Sequence, residues 1–364
     1  MNIPNININN MIRPFRLTIE AVSRSSSERS AGEKIEQIKK TFLKHSPPIV
    51  INEYLGSGGF SDVFSATSDY SGVKEFAVKI LRSGLMKPRI GKYFNPEREE
   101  MRVKDIKKRF TNESYVQWSL SQNLSERVSQ SVMKVYDHGE FDTRQRYRFI
   151  LMERMQSTLR EFIKSPEAAD ASTGMLLYKT LLLAKIADII SNVHQEGIFH
   201  RDIKPENIFF GREETGAQVP PPAAIGRRSY ELRHRVKLGD FGTVRWIRTY
   251  DDNFDGIIIG SQWYLSPEQI YNPETLDVRT DIYSFGVVGY EVLYGAHPKD
   301  VNEETSNLIV KLAQAKPVPR IPPKGFEPLH DIIFKCMEDV ENRYQKMGDV
   351  VDELRQFIRG IPTE

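Results

Sequence analysis

Between residues 49 and 153 the apolar positions come in short runs of strand character, and beyond 153 they recur at helical spacing. Residues 49–55 and 75–80 read as strands, separated by the glycine-rich stretch Gly56-Ser57-Gly58-Gly59-Phe60-Ser61-Asp62-Val63. Residues 133–136 and 147–153 read as two further strands, with His138-Gly139 and residues 143–146 as turns. A short amphipathic helix is predicted at 159–164. A long one follows at 175–196, with Leu183, Ile186, Ala187, Ile190 and His194 on one face and Gly197 ending it. Brief strands at 208–210 and 236–239 precede helices at 281–293, 330–337 and 350–358. A small sheet followed by a mostly helical region is an α+β pattern.

Residues 1–48 stand apart. They open Asn-rich, continue Ser-rich at 23–30, and close with Ile35, Ile38 and Phe42 at helical spacing among charged neighbours. Residues 32–44 are either a helix that docks on the main domain or a solvated linker. Pro47-Pro48 marks the boundary. The chain has 364 residues, 39% of them hydrophobic, enough for a sizeable core. The 51 basic and 49 acidic residues nearly balance, giving no case for nucleic acid or a membrane surface as main partner. Cys336 is the single cysteine, sits in an apolar run and reads as a buried structural thiol. No signal peptide and no run of about 18 apolar residues is visible, so a soluble, cytoplasmic protein is expected. No Cys/His cluster suggests zinc.

The candidate chemistry lies between His200 and Gly242. His200-Arg201-Asp202-Ile203-Lys204-Pro205-Glu206-Asn207 carries a carboxylate, an amine and an amide, and Asp240-Phe241-Gly242 adds a second carboxylate. Phosphoryl transfer from ATP needs such a set: a base for the attacking hydroxyl, a cation for the moving phosphoryl group, and oxygen ligands for Mg²⁺. The two stretches resemble the catalytic core of eukaryotic-type serine/threonine protein kinases, in a bacterial-like form. The resemblance implies Asp202 as catalytic base, Lys204 as phosphate-contacting cation, and Asn207 and Asp240 as metal ligands.

It further implies that Leu55, Gly56, Ser57, Gly58, Gly59, Phe60, Ser61 and Val63 surround ATP, with Ser61 where the family usually has glycine. Lys79 would hold the α- and β-phosphates and pair with a glutamate of the next helix. Glu97, Glu99, Glu100 and Glu113 are the candidates. Arg109-Phe110-Thr111-Asn112-Glu113 resembles the relevant helix of bacterial-looking relatives, which selects Glu113. That choice implies an extra charged segment over 83–108, with Asn95-Pro96 as cap and first-turn proline. It also puts Gln117 where the family often packs an apolar side chain. Ala77, Met152, Glu153, Met155 and Phe209 would complete the adenine site.

Residues 243–265 resemble an activation segment, with Thr243, Thr249, Tyr250 and Ser261 as phosphorylation candidates. Arg201 would capture the phosphate, and Asp251, Asp252 or Asp255 would satisfy Arg201 in part beforehand. Ser261 would bridge Asp202 and Lys204, Asp281 would brace the catalytic loop, and Arg343 would pair with Glu268. Lys204 and Ser261 favour serine or threonine as acceptor over tyrosine. The expectation is therefore a two-lobed kinase-like fold, with an N-lobe at 49–153, a C-lobe at 156–358 and an insert at 211–235. Pro220-Pro221-Pro222 and Arg227, Arg228, Arg233 and Arg235 make that insert either a docking element or a solvated loop. It would use ATP and Mg²⁺ on a protein substrate, itself included, a dimer being one route to phosphorylation between copies. Two alternatives stand beside it: a catalytically weak scaffold and a small-molecule kinase.

Overall fold

A computed structural model describes residues 36, 38–57, 61–70, 72–81, 96–122, 125–141, 147–211, 235–246, 261–301 and 308–361. The Asn- and Ser-rich stretches, Gly58, Gly59, Phe60, Asn95, the turn at 143–146 and residues 212–234 of the insert lie outside the described residues. So do Thr249, Tyr250, Asp251, Asp252 and Asp255. The chain divides into two compact units.

The first unit is a five-stranded antiparallel sheet and one long helix. Its strands are β1 (Val50–Ser57), β2 (Ser61–Tyr70), β3 (Val73–Leu81), β4 (Val135–Phe141) and β5 (Tyr147–Glu153), in the spatial order β1-β2-β3-β5-β4. The two-residue period of β3 sends Phe76, Val78 and Ile80 to one face and Ala77 and Lys79 to the other. The first face packs with Ile51, Phe64, Ala66, Phe149 and Leu151, and also with Phe42 and Ile49 from before β1. Phe42 is fully buried, its ring edge-on to Phe149 at 5.3 Å. Residues 38–42 are helical, and His45 behind them reaches Asp137 Oδ2 at 2.9 Å and the Pro47 carbonyl at 2.8 Å. This stretch closes an apolar sheet face that would otherwise meet water.

The helix α1 (Pro96–Gln122) is continuous for 27 residues. Residues 96–108 form its first turns, and Pro96 is its opening residue, as the first-turn proline reading expected, where a missing N–H goes unnoticed. The His138-Gly139 turn is overturned: both residues lie within β4, paired with Ile150 and Phe149. A Cβ at Gly139 would meet the Phe149 ring at 3.4 Å, an ordinary contact.

The second unit is mostly helical. It comprises α2 (Glu126–Ser131), β6 (Ser157–Thr158), α3 (Leu159–Ile163), α4 (Thr173–Gln195), β7 (Ile198–Phe199), β8 (Ile208–Phe210), β9 (Val236–Leu238) and β10 (Arg245–Trp246). Then come α5 (Pro267–Tyr271), α6 (Arg279–Tyr294), α7 (Leu308–Gln314), α8 (Glu327–Cys336) and α9 (Met347–Gly360). Helix α4 is capped by Ser172, whose side chain accepts from Met175 N–H, and it packs against α6 and α9. Helices α6 and α8 approach closely because Gly286 has no side chain. A Cβ there would fall 2.8 Å from that of Cys336. Burial pushes the Cys336 thiol well up, consistent with an inert core position. Short strands β6-β8-β9 and β10-β7 frame the loops that carry the chemistry.

Candidate active site

The first unit holds a buried ion pair. Lys79 Nζ donates to Glu113 Oε1 at 2.5 Å, with the two side chains 13% and 6% exposed. Leaving either charge alone there would cost several kcal/mol, so the pair ties α1 to β3. Of the other candidates, Glu100 is exposed in the first turns of the same helix. Around Lys79, Val63 lies across from it on β2 and Gly56 across from Val63 on β1, while Ala77 faces Met152 on β5. Cross-strand partners share a face, so these residues form one surface. Leu55 and Ser57 are exposed on β1, and Ser61 is buried. Glu153 ends β5 with its N–H donated to the Lys134 carbonyl, and Met155 follows, partly buried.

The second unit carries the loop after β7. Asp202 is held at both oxygens: Oδ1 accepts the Ser261 N–H at 2.7 Å, and Oδ2 accepts from Lys204 Nζ at 2.7 Å and Asn207 Nδ2 at 3.2 Å. Lys204 Nζ also donates to Ser261 Oγ at 2.6 Å. The bridge through Ser261 therefore uses its hydroxyl toward Lys204 and its backbone toward Asp202. Asn207 Nδ2 donates to the Asp202 carbonyl at 2.8 Å, which leaves the amide oxygen as the atom suited to a cation. Antiparallel pairing of Ile208 with Leu238 brings Asn207 and Asp240 to the same end of two strands, where Gly239 N–H donates to the Asn207 carbonyl. Phe209, beside them on β8, is partly buried.

Arg201 and Asp240 take left-handed backbone conformations, φ 69° and 62°, which cost a non-glycine residue about 1–3 kcal/mol each. Asp281, fully buried at the start of α6, supports the strained loop. It accepts the N–H groups of His200 (2.6 Å) and Arg201 (2.7 Å) and meets His194 Nε2 at 2.8 Å. Burial alone would raise the Asp281 carboxyl. The His194 contact and the backbone donors outweigh it and hold the group below the ordinary range. Thr243 Oγ1 donates to the His200 carbonyl and Gln269 Nε2 to the Arg201 carbonyl.

Several of these contacts escape sequence reasoning. His194 reads as a packing residue on an apolar helix face, yet it completes the Asp281 brace. A second group lies at Arg160, whose guanidinium meets Glu206 (2.7 Å), Glu291 (3.1 Å) and the Tyr264 hydroxyl. Tyr264 also donates to Glu291 Oε2 at 2.9 Å, and burial raises the Glu291 carboxyl above the ordinary range. This group joins α3, the loop ending at Asn207, the segment after Ser261, and α6. No local signal could find it, because Arg160 and Tyr264 stand 104 positions apart. Glu268 and Arg343 do meet, at 2.6 Å.

Residues 49–361 match the protein kinase domain. A probable serine/threonine-protein kinase of Clostridium perfringens is 30% identical over 312 residues, covering 83% of this chain and 37% of that protein. The serine/threonine-protein kinase PknB of Mycobacterium tuberculosis is 27% identical over 320 residues, covering 86% of this chain and 43% of that protein. PknB of Mycobacterium leprae is 27% identical over 332 residues, covering 88% and 45%. The chain thus spans less than half the length of these curated relatives. Among the described residues, no helix is long and apolar enough to cross a membrane. With the match running from the first strand of the sheet to the last helix, the chain belongs to the protein kinase family.

Proposed function

We propose that this chain is a serine/threonine protein kinase that transfers the γ-phosphoryl group of ATP to Ser or Thr hydroxyls of proteins, its own included. The observation that carries this reading is the Asp202 carboxylate, held at both oxygens by Ser261, Lys204 and Asn207. A carboxylate so oriented accepts the proton of the acceptor hydroxyl as the hydroxyl oxygen attacks. Lys204, already placed beside Asp202, offsets charge on the phosphoryl group. Lys79, presented by Glu113, holds the α- and β-phosphates, while Leu55, Gly56, Ser57, Ser61, Val63, Ala77, Met152, Glu153, Met155 and Phe209 receive the nucleotide.

The family generally uses Mg²⁺ with ATP, and the residues suit it. The Asn207 amide oxygen and the Asp240 carboxylate are hard oxygen donors at the same end of a strand pair. Bound there, the ion would neutralise phosphate charge. In the same reading residues 49–358 are the catalytic domain, with 1–48 as an extension and 211–235 as an insert. The near-even charge supports a protein rather than a nucleic-acid partner, and the single buried cysteine supports work in the cytoplasm. Phosphorylation between copies in a dimer belongs to the proposal as well.

Incubation with radiolabelled ATP, Mg²⁺ and a generic Ser/Thr peptide, followed by phosphosite mapping, tests it. Phosphate should appear on serine and threonine, and Asp202→Ala should lower the rate about 10²- to 10⁴-fold. A wild-type chain that binds ATP but transfers nothing would support the scaffold alternative instead.

A further inference from the structure

The inward seam of α1 runs Ile106, Phe110, Glu113, Gln117, Leu120, one residue per turn. The pattern calls for an apolar residue at 117, yet Gln117 stands there, 1% exposed. A buried amide without partners costs about 1–3 kcal/mol, so its partner matters. Gln117 Nε2 donates to the Met133 carbonyl at 3.2 Å. One turn later, both backbone groups of Val135 are taken by α1 side chains: its N–H donates to Ser121 Oγ (3.2 Å), and its carbonyl accepts from Gln122 Nε2 (2.8 Å). On the other side of Glu113, Arg148 of β5 donates to the Lys107 carbonyl (3.3 Å) and to Thr111 Oγ1 (3.0 Å). Helix α1 is therefore pinned by directional polar bonds above and below Glu113.

These bonds close a circuit. Gln117 holds Met133; two residues on, Val135 pairs with Met152, and Met152 pairs with Ala77. Two residues further, Lys79 returns to Glu113, one helical turn from Gln117. An apolar contact at 117 would let the helix slide or roll with little penalty, since hydrophobic packing is non-directional. A hydrogen bond to one carbonyl does not. We propose that Gln117 is a positioning residue that holds Glu113 on Lys79 by locking the register of α1 against the strand after it. The proposal rests on the kinase reading for its kinetic consequence, but not for its structural one.

The test is a double-mutant cycle between Gln117→Leu and Glu113→Gln, read in two ways. The first reading is the rate at which a small amine-acylating reagent labels Lys79, followed by mass spectrometry, which needs no catalysis. Gln117→Leu alone should speed labelling several-fold. In the Glu113→Gln background, where the carboxylate that holds the amine is already gone, it should change labelling less than twofold. The second reading is kcat/KM for ATP, expected to fall about tenfold with Gln117→Leu in the wild-type background and less than twofold when Glu113 is already Gln. Unchanged labelling, or equal factors in both backgrounds, would overturn the proposal. Should Gln117→Leu fail to fold, Gln122→Leu at an exposed position removes a neighbouring bond and runs through the same cycle with the same criteria. Absent phosphoryl transfer in the wild type would defeat the kinase reading alone and leave the labelling result to decide this one.

Discussion

Two buried acid–base pairs, one in each unit, show how similar chemistry is put to different ends. Arg343 has a fully buried side chain and uses its whole fork. It donates to both oxygens of Glu268 (2.6 and 3.3 Å), to the carbonyls of Glu338 and Arg279, and lies 4.9 Å from the Tyr283 ring. Lys79 meets Glu113 with a compact ammonium on a flexible stem. A planar guanidinium with five donors locks several chain segments at once, whereas an ammonium is a point charge that a phosphate can share. The first pair holds the fold; in the proposed function the second also presents a charge.

Breaking the first pair should have the largest effect on stability. Arg343→Met leaves Glu268 without its partner and should lower unfolding free energy by about 3–5 kcal/mol, measured by denaturant titration. Arg343→Lys sharpens the point. It keeps the charge but loses the fork, and should recover less than half of that loss. The second pair should respond the other way. Glu113→Gln removes the counter-charge but keeps the shape and one oxygen acceptor beside the ammonium, so it should destabilise clearly less than Arg343→Met. kcat/KM should fall about 10- to 100-fold, a change of about 1.4–2.7 kcal/mol in transition-state stabilisation. If Glu113→Gln destabilised as much as Arg343→Met, the division of labour would be wrong.

The smallest expected effect concerns pH. His297 Nε2 donates to the Trp263 carbonyl at 2.9 Å, and its Nδ1 accepts the Lys299 N–H at 3.1 Å, an arrangement only the neutral ring can make. Burial, opposed by the carbonyls of Trp263 and Lys299 to which a charged ring would donate, lowers its pKa below the ordinary histidine value. The unfolded chain then takes up the proton first. The stability linked to this group is fully present above pH 6.5 and is lost as pH falls through the lower folded value. Melting curves between pH 7.5 and 5 should show a shallower decline in His297→Gln than in the wild type. Lys299, pushed down to about 8 chiefly by burial, acts in the same sense at higher pH: its contribution is complete above 10.5 and fades as pH falls through 8.

The strand and helix runs were legible because amphipathic periodicity is local. A two-residue period at 75–80 and a helical one at 175–196 arise from neighbours a few positions apart. The cluster 200–207 was legible because carboxylate, amine and amide crowd into eight positions with few chemical uses. Asp281 and Arg343 were within reach only through the motif, since nothing nearby announces that a buried aspartate will accept two N–H groups 80 and 81 residues back.

The errors have physical causes as well. Gly139 looked like a turn because glycine permits one, but its pairing with Phe149 places it inside a strand. Gln117 looked misplaced because one-dimensional patterns price a buried amide as a defect. The Met133 carbonyl that satisfies it becomes visible only when the strand after α1 folds back. Composition and spacing therefore settled which groups this chain owns and which elements carry them. Which hydrogen bonds, buried charges and strained torsions those groups adopt was decided by segments far apart in the chain, because directional contacts depend on where distant backbone atoms come to rest.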